Sequence, residues 1–168
     1  MSAIISSINY CPVKSVSFQT IEKCEIKKDI GIINDRIFAF AKDLDAEKAK
    51  LFEKSPEERK GKWNKVLTLK NSPALNKYNF IFKDEKLTLT QKDKQILSID
   101  INQSSEREEL SNKISDLESS LKQPITLMKN DDFPFFDTSI SKKVDFVNSV
   151  SLLNIQSIND FQKKIDKK

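Results

Sequence analysis

Along the first forty residues, apolar positions recur in short alternating runs. "AIISSINY" is apolar and β-branched and predicts a strand. In "SVSFQTIEKCEIKK", Val16 and Phe18, then Ile21, Cys24 and Ile26, predict two more short strands, with Cys24 inside one of them. "GIIND" holds Gly31, one of only two glycines, and its Asn-Asp ending marks a turn. "RIFAFAKD", where Ile37 or Phe38 alternates with Phe40, predicts the next strand. The alternation breaks at "LDAEKAKLFEKSPEERKGKW". Asp45 suits the N-cap of a short helix from Ala46 to Glu53, with Ala49 and Phe52 on one face. Pro56 and Gly61 then mark loop, and "PEERKGKW" reads as a solvated face.

Further on, polar turns "KDEK" and "QKDKQ" separate three strands, Tyr78–Phe82, Leu87–Thr90 and Ile96–Ile101, which predict an antiparallel meander. Leu110, Ile114, Leu117 and Leu121 recur at spacings of four, three and four. That is the stripe of an amphipathic helix, with Ser104 or Ser105 as cap and Pro124 as stop. After Pro124 come a strand and the Phe-rich loop of "ITLMKNDDFPFFDTS". Ser151 then reads as a second helix cap, ahead of Leu152, Ile155, Ile158, Phe161 and Ile165. The expected fold class is α+β and β-rich: a small β-barrel with added helices over residues 1–123, then an incomplete second β/α unit over residues 124–168.

Composition narrows the chemistry more than the fold. At 168 residues the chain can bury a core, and eleven Phe against one Trp and two Tyr predict that Phe, Ile and Leu build it. The absence of histidine excludes His-based acid–base catalysis, Ser-His-Asp triads and His metal ligands. Cys11 and Cys24 stand thirteen apart, a spacing that suggests neither a disulfide framework nor a zinc site. The net charge of +4 comes from interspersed signs and gives no nucleic-acid footprint. "KYNFIF" is the one stretch that could offer stacking aromatics, and the basic tail "QKKIDKK" reads as a solvated helix end. Neither a leader nor an apolar run of membrane-spanning length is evident, so no membrane partner is expected and the cytoplasm is the default address.

Two short segments carry candidate chemistry. Lys14 and Ser15 follow Pro12-Val13 in a turn, and an ammonium beside a hydroxyl suits a phosphate or sulfate oxygen. Asp35 and Arg36 follow the Gly31 turn, and the Arg36 fork matches phosphate or carboxylate, while Asp35 could orient a donor or pair with a surface lysine. Read singly, each is an ordinary turn. Asn130–Asp132 and Asp137 offer oxygens to a hard cation but lack the rest of a binding loop. Cys11 neighbours the first segment, where Lys14 could lower its pKa.

Read together, "YCPVKS" and, about sixteen residues later, "GIINDRIF" form an ordered pattern. It resembles the N-terminal β-barrel region of the MOSC family, the molybdenum cofactor sulfurase C-terminal domain-like proteins. "FFDTSISKKVDFVNSVSLLNIQSINDF" is similar to the start of the MOSC domain proper, so the resemblance spans Ile4 to Phe161. It implies a molybdenum cofactor (molybdopterin) held between barrel and MOSC domain, with Lys14, Ser15 and Arg36 facing pterin and phosphate, and Asn154 and Ser157 on the second side. Its activities are sulfur transfer and reduction of N-hydroxylated compounds. Its molybdenum-binding cysteine and an Arg-rich segment lie beyond Lys168, and neither Cys11 nor Cys24 matches that cysteine. The chain is therefore expected to be a truncated member, not catalytically competent alone. Its expected partners are the cofactor and either a separately encoded C-terminal half or a sulfur-donor or reductase protein. The alternative is a non-catalytic barrel module that binds an anion or a partner.

Overall fold

The computed structural model describes residues 4–28, 30–121, 124–136 and 153–166. The N-terminal alternation becomes two short antiparallel pairs, β1 (Ile8–Tyr10) with β2 (Gln19–Ile21) and β3 (Ile26–Lys27) with β4 (Gly31–Ile32). β5 (Phe38–Lys42) leads into α1 (Ala46–Lys54) and the short α2 (Pro56–Arg59). Two 3-10 turns, Trp63–Lys65 and Pro73–Lys77, carry the chain to the meander β6 (Asn79–Lys83), β7 (Lys86–Gln91) and β8 (Lys94–Asp100). α3 (Ser104–Leu117), β9 (Ile125–Lys129) and α4 (Ile155–Ile165) complete the described elements. The architecture is α+β, with helices set on several small sheets.

The core is organised by β5, because successive side chains of a strand point to opposite faces. Phe38 and Phe40 enter the larger cluster, with Tyr78, Phe80, Leu87, Leu89 and Ile99. Ala39 and Ala41 enter a second cluster with Ala49 and Phe52 of α1, Val66, Met128 and Phe135. α1 packs chiefly against β9, and Asp45 caps that helix as expected, accepting from the Lys48 N–H at 2.8 Å.

Among the described residues the sheets follow one another around the larger core without closing into a barrel. The segment after β1 meets β5 at the parallel bridge Val13↔Phe38, and β5 pairs antiparallel with β9. Side chains rather than a ladder join the β2 side to β6. The Phe80 N–H donates to Ser17 Oγ at 2.8 Å, and the Phe82 N–H to Gln19 Oε1 at 3.0 Å. α3 packs across β8 and β9, burying Leu110 and Ile114.

Several local expectations change. β9 opens the unit expected from residue 124, yet it pairs with β5 because Ile125 and Leu127 complete the larger core and Met128 the second. Phe18 is 81% exposed, since the alternation before β2 turns Ser17 inward instead. Cys24 lies between β2 and β3 rather than inside a strand. Gln103, not Ser104 or Ser105, occupies the N-cap of α3, and Glu106 turns back to accept from the Asp100 N–H at 2.6 Å. α4 is capped by Asn154; Ser151, Leu152 and Asp137 lie outside the described residues. "PEERKGKW" is not wholly solvated, because Arg59 is buried. No described helix is long and apolar enough to cross a membrane.

At the end of α3 a buried carboxylate is resolved by two donors. The Tyr78 hydroxyl donates to Glu118 Oε1 at 2.6 Å, and Lys77 forms an ion pair with the same oxygen. Burial pushes the Glu118 carboxyl up, but the hydrogen bonds from Lys77 and Tyr78 and the Lys77 charge outweigh it and hold the group below its usual range. A carboxyl depressed in the folded state gives stability that is present above its unfolded pKa and lost as pH falls through the folded value. Wild-type protein should therefore lose stability on acidification below about pH 4 more steeply than Glu118→Gln. Urea unfolding at a series of pH values checks this; parallel acid limbs would remove Glu118 from the account.

Candidate functional site

The two sequence segments, "YCPVKS" and "GIINDRIF", meet as one backbone junction. The Arg36 N–H donates to the Cys11 carbonyl at 2.6 Å, the Phe38 N–H to the Pro12 carbonyl at 3.0 Å, and the Lys14 N–H to the Phe38 carbonyl at 2.8 Å. Pro12 has no N–H to satisfy, so it fits this run without leaving a donor orphaned. Asp35 adds a side-chain lock: its Oδ1 accepts from the Cys11 N–H at 2.9 Å. Burying a carboxylate is costly unless it is paired and hydrogen-bonded. Here the second oxygen, Oδ2, accepts from Arg36 Nε at 2.8 Å and Nη2 at 2.6 Å.

Ser15 and Arg36 both take left-handed backbone, with φ of 60° and 55°. Such residues cost about 1–2 kcal/mol each unless their surroundings hold them there. Arg36 is held on both sides, since its N–H is bound by Cys11 and its carbonyl accepts from the Phe135 N–H at 2.8 Å. Its guanidinium lies over the Phe136 ring with Cζ 4.4 Å from the centroid. Gly31, with φ of +90°, passes the same ring: a Cβ there would stand 3.9 Å from Phe136 Cζ.

Lys14 lies in the expected turn and is buried, with its ammonium 5.0 Å from the Trp63 ring centroid. Ser15 is half-buried, and its hydroxyl makes no hydrogen bond among the described residues. Arg36 Nη1 is likewise without a hydrogen bond among them, on a side chain 29% exposed. The junction therefore combines one held ammonium, one open hydroxyl and one guanidinium nitrogen left over after Asp35 takes the Nε–Nη2 edge.

Cys11 is not an activated thiol. It is buried and donates from Sγ to the Val13 carbonyl at 2.8 Å. Burial pushes its pKa up, against the expectation that Lys14 lowers it. Asn154 and Ser157 serve α4 itself, where Asn154 Oδ1 accepts from the Ser157 N–H at 3.1 Å, and both residues are exposed. In the Asn130–Asp132 run, Asn130 Oδ1 accepts from the Phe133 N–H at 2.7 Å, and Asp131 pairs with Lys129. No group of three or more acidic or cysteine side chains able to hold a metal occurs among the described residues. The aromatics of "KYNFIF", Tyr78, Phe80 and Phe82, face the core and present no stacking surface.

Arg59 is the residue that sequence reading misses. It donates from Nε to the Phe52 carbonyl at 2.7 Å and from Nη2 to the Glu53 carbonyl at 2.9 Å. From Nη1 it reaches the Phe133 carbonyl at 2.6 Å and the Pro134 carbonyl at 3.3 Å. Burial pulls its pKa down to about 10, so it remains charged at neutral pH, and its guanidinium stacks 4.0 Å above the Phe135 ring. The only signal in the sequence is Ser55-Pro56, which ends α1 and turns the chain back; nothing in the charge pattern separates Arg59 from Lys60 and Lys62.

No protein-family model matches this chain, and no curated protein or solved structure matches it either.

Two outcomes follow from the junction. Asp35→Ala strands the Cys11 N–H and leaves Arg36 unpaired, and should lower stability by about 1–3 kcal/mol in urea unfolding; an unchanged midpoint would show that the lock contributes nothing. Of the two thiols, Cys24 should react with an aromatic disulfide reagent in the native protein, while Cys11 reacts at the rate of unfolding. Mass mapping of partially labelled protein distinguishes them, and early labelling of Cys11 contradicts its burial.

Proposed function

We propose that this chain is the cofactor-phosphate-binding part of a MOSC-type protein. In this reading the junction between the Tyr10–Ser15 and Gly31–Arg36 segments holds the phosphate of a molybdopterin-type cofactor. The observation that carries it is the fusion of those two segments: backbone hydrogen bonds bring Lys14, Ser15 and Arg36 off a single seam although about sixteen residues separate the segments. The run of sheets around one core, from β9 through β5 and the Val13 segment to β2 and β6, supports a barrel-like arrangement that reaches past residue 123 to take in β9, with α3 bridging β8 and β9 where a closed barrel would need a ladder.

The donor set fits a phosphate. Ser15 Oγ and Arg36 Nη1 are both uncommitted among the described residues, and Lys14 adds a second positive charge beside them in sequence. Asn154 and Ser157 enter the proposal as the second side of the cofactor, through the exposed N-terminal turn of α4, whose N–H groups suit an anion. A molybdenum cofactor, when bound, supplies oxygen- or sulfur-transfer redox chemistry at its metal. The residues of this chain bind and orient the anion; Cys11, committed to the Val13 carbonyl, takes no metal role.

Tryptophan supplies the assay. Trp63 is the single tryptophan and sits beneath the Lys14 ammonium. Its fluorescence should respond to the phosphorylated pterin released by oxidation of the molybdenum cofactor, and much less to the dephosphorylated compound. Lys14→Ala combined with Arg36→Ala removes two charge-assisted contacts, each about 1.5–3 kcal/mol, and should weaken binding of the phosphorylated pterin by at least tenfold. Affinity unchanged in the double variant would overturn the site. Binding of inorganic phosphate as tight as that of the pterin would instead favour a plain anion-binding module.

A further inference from the structure

The segment from Phe133 to Phe136 touches two guanidinium groups, the buried Arg59 and the half-buried Arg36, and this connects two parts of the molecule that the sequence keeps apart. On one side, Arg59 grips the carbonyls of Phe133 and Pro134 and stacks on the Phe135 ring. It anchors them to the last turn of α1, where the carbonyls of Phe52 and Glu53 accept from the same guanidinium. Those carbonyls belong to the negative end of a helix dipole, which favours a cation there. On the other side, the Phe135 N–H fixes the Arg36 carbonyl, and the Phe136 ring lies beneath the Arg36 guanidinium.

We infer that Arg59 is a positioning residue for Arg36. It holds the Phe133–Phe136 strap, and the strap sets the plane in which Arg36 presents Nη1. The inference rests on the cofactor-phosphate reading for its consequence in binding, but its structural half stands on the contacts alone. Arg36 needs such support. Its left-handed backbone is unfavourable for a residue with a Cβ, and its own side-chain hydrogen bonds all go to the adjacent Asp35, which is tied in turn to the Cys11 N–H but leaves the far side of the guanidinium to the strap. Apart from the Cys11 hydrogen bond and that neighbour, the strap is what fixes its orientation. Arg59 suits the task because a planar fork can reach several carbonyls at once while lying flat on a ring, which an ammonium cannot do.

The test uses the whole chain and two readouts. The sequence contains three arginines, Arg36, Arg59 and Arg107, so their Nε–H resonances can be assigned by substitution in nitrogen-15 spectra. Arg59→Lys keeps the charge and loses the fork. It should shift the Arg36 Nε–H resonance in ligand-free protein, through the altered ring current of Phe136, and weaken the phosphorylated pterin about tenfold. Phe136→Leu should weaken it similarly, and the two changes together should cost little more than either alone, because they act through one strap. Phe135→Leu removes the ring beneath Arg59 while keeping an apolar side chain in the second cluster, and should shift the same resonance by less; it serves if Arg59→Lys does not fold. An Arg36 resonance unmoved by these substitutions at Arg59 and Phe135 overturns the positioning role, as does full additivity with Phe136→Leu. If wild-type protein ignores the pterin while the resonance still moves, the cofactor reading falls and the positioning of Arg36 stands.

Discussion

The two-sided burial of Phe38–Ala41 is the constraint on which the rest depends. One strand that is apolar on both faces must be covered twice. Phe38 and Phe40 gather the meander and α3 on one side, while Ala39 and Ala41 admit α1 on the other. The strand's edges are used as fully as its faces. β9 takes one, and the other accepts the Val13 bridge and the antiparallel bridge from Ala41 to Val66. Replacing Phe40 with Ala would remove a large group at the centre of this arrangement, a change that costs about 3–5 kcal/mol in cores generally. The junction of the two N-terminal segments exists because β5 begins there. Arg36 stands just before it and Val13 lies beside its first residue.

Besides Lys14, whose ammonium lies against Trp63, charge enters this core at Glu118, Asp35 and Arg59, and each is resolved differently. Glu118 is surrounded by donors from one neighbouring turn, Lys77 and Tyr78. Asp35 is split between a backbone N–H and an arginine. Arg59 has no carboxylate in its hydrogen-bonded set; carbonyl oxygens alone receive it. An isolated buried cation is expensive, and carbonyls offset the cost only when several converge. The end of α1 and the Phe-rich strap supply that convergence. The buried charge is thus inseparable from the path of the chain around it, which is how a polar group can specify geometry as well as stability.

Much of the local structure was legible in the sequence. Asp45 with Ala49 and Phe52, the meander, and the stripe of Leu110 and Ile114 are local patterns whose periods and caps decide the element type. What was not legible depended on distant partners. Phe18 alternates correctly with Val16, yet it is exposed because Ser17 is needed to receive the Phe80 N–H. Arg59 sits in a charged run and becomes buried because α1 ends beside the Phe133–Phe136 strap, which lies more than seventy residues away in sequence. At the candidate site, the sequence marks Lys14, Ser15 and Arg36 as donors, but neither the Asp35 lock nor the burial of Lys14 against Trp63 follows from turn chemistry.

Asp35 sets the terms on which this junction can act. By pairing with Nε and Nη2 it takes the side-on edge of Arg36 and leaves the two Nη1–H donors and one Nη2–H at the end of the guanidinium. It also places a negative charge next to any anion bound there. Lys14, Arg36 and Asp35 together carry a formal charge of one positive unit, so a dianion would be held through hydrogen-bond geometry more than through net field. Freeing the side-on edge would require removing Asp35, and with it the acceptor that closes the Cys11 N–H and joins the two segments. The same carboxylate thus builds the junction and limits its strength for anions. In the proposed reading such a site favours a ligand that supplies further contacts away from its phosphate, as a pterin ring would, over a small free anion that has none.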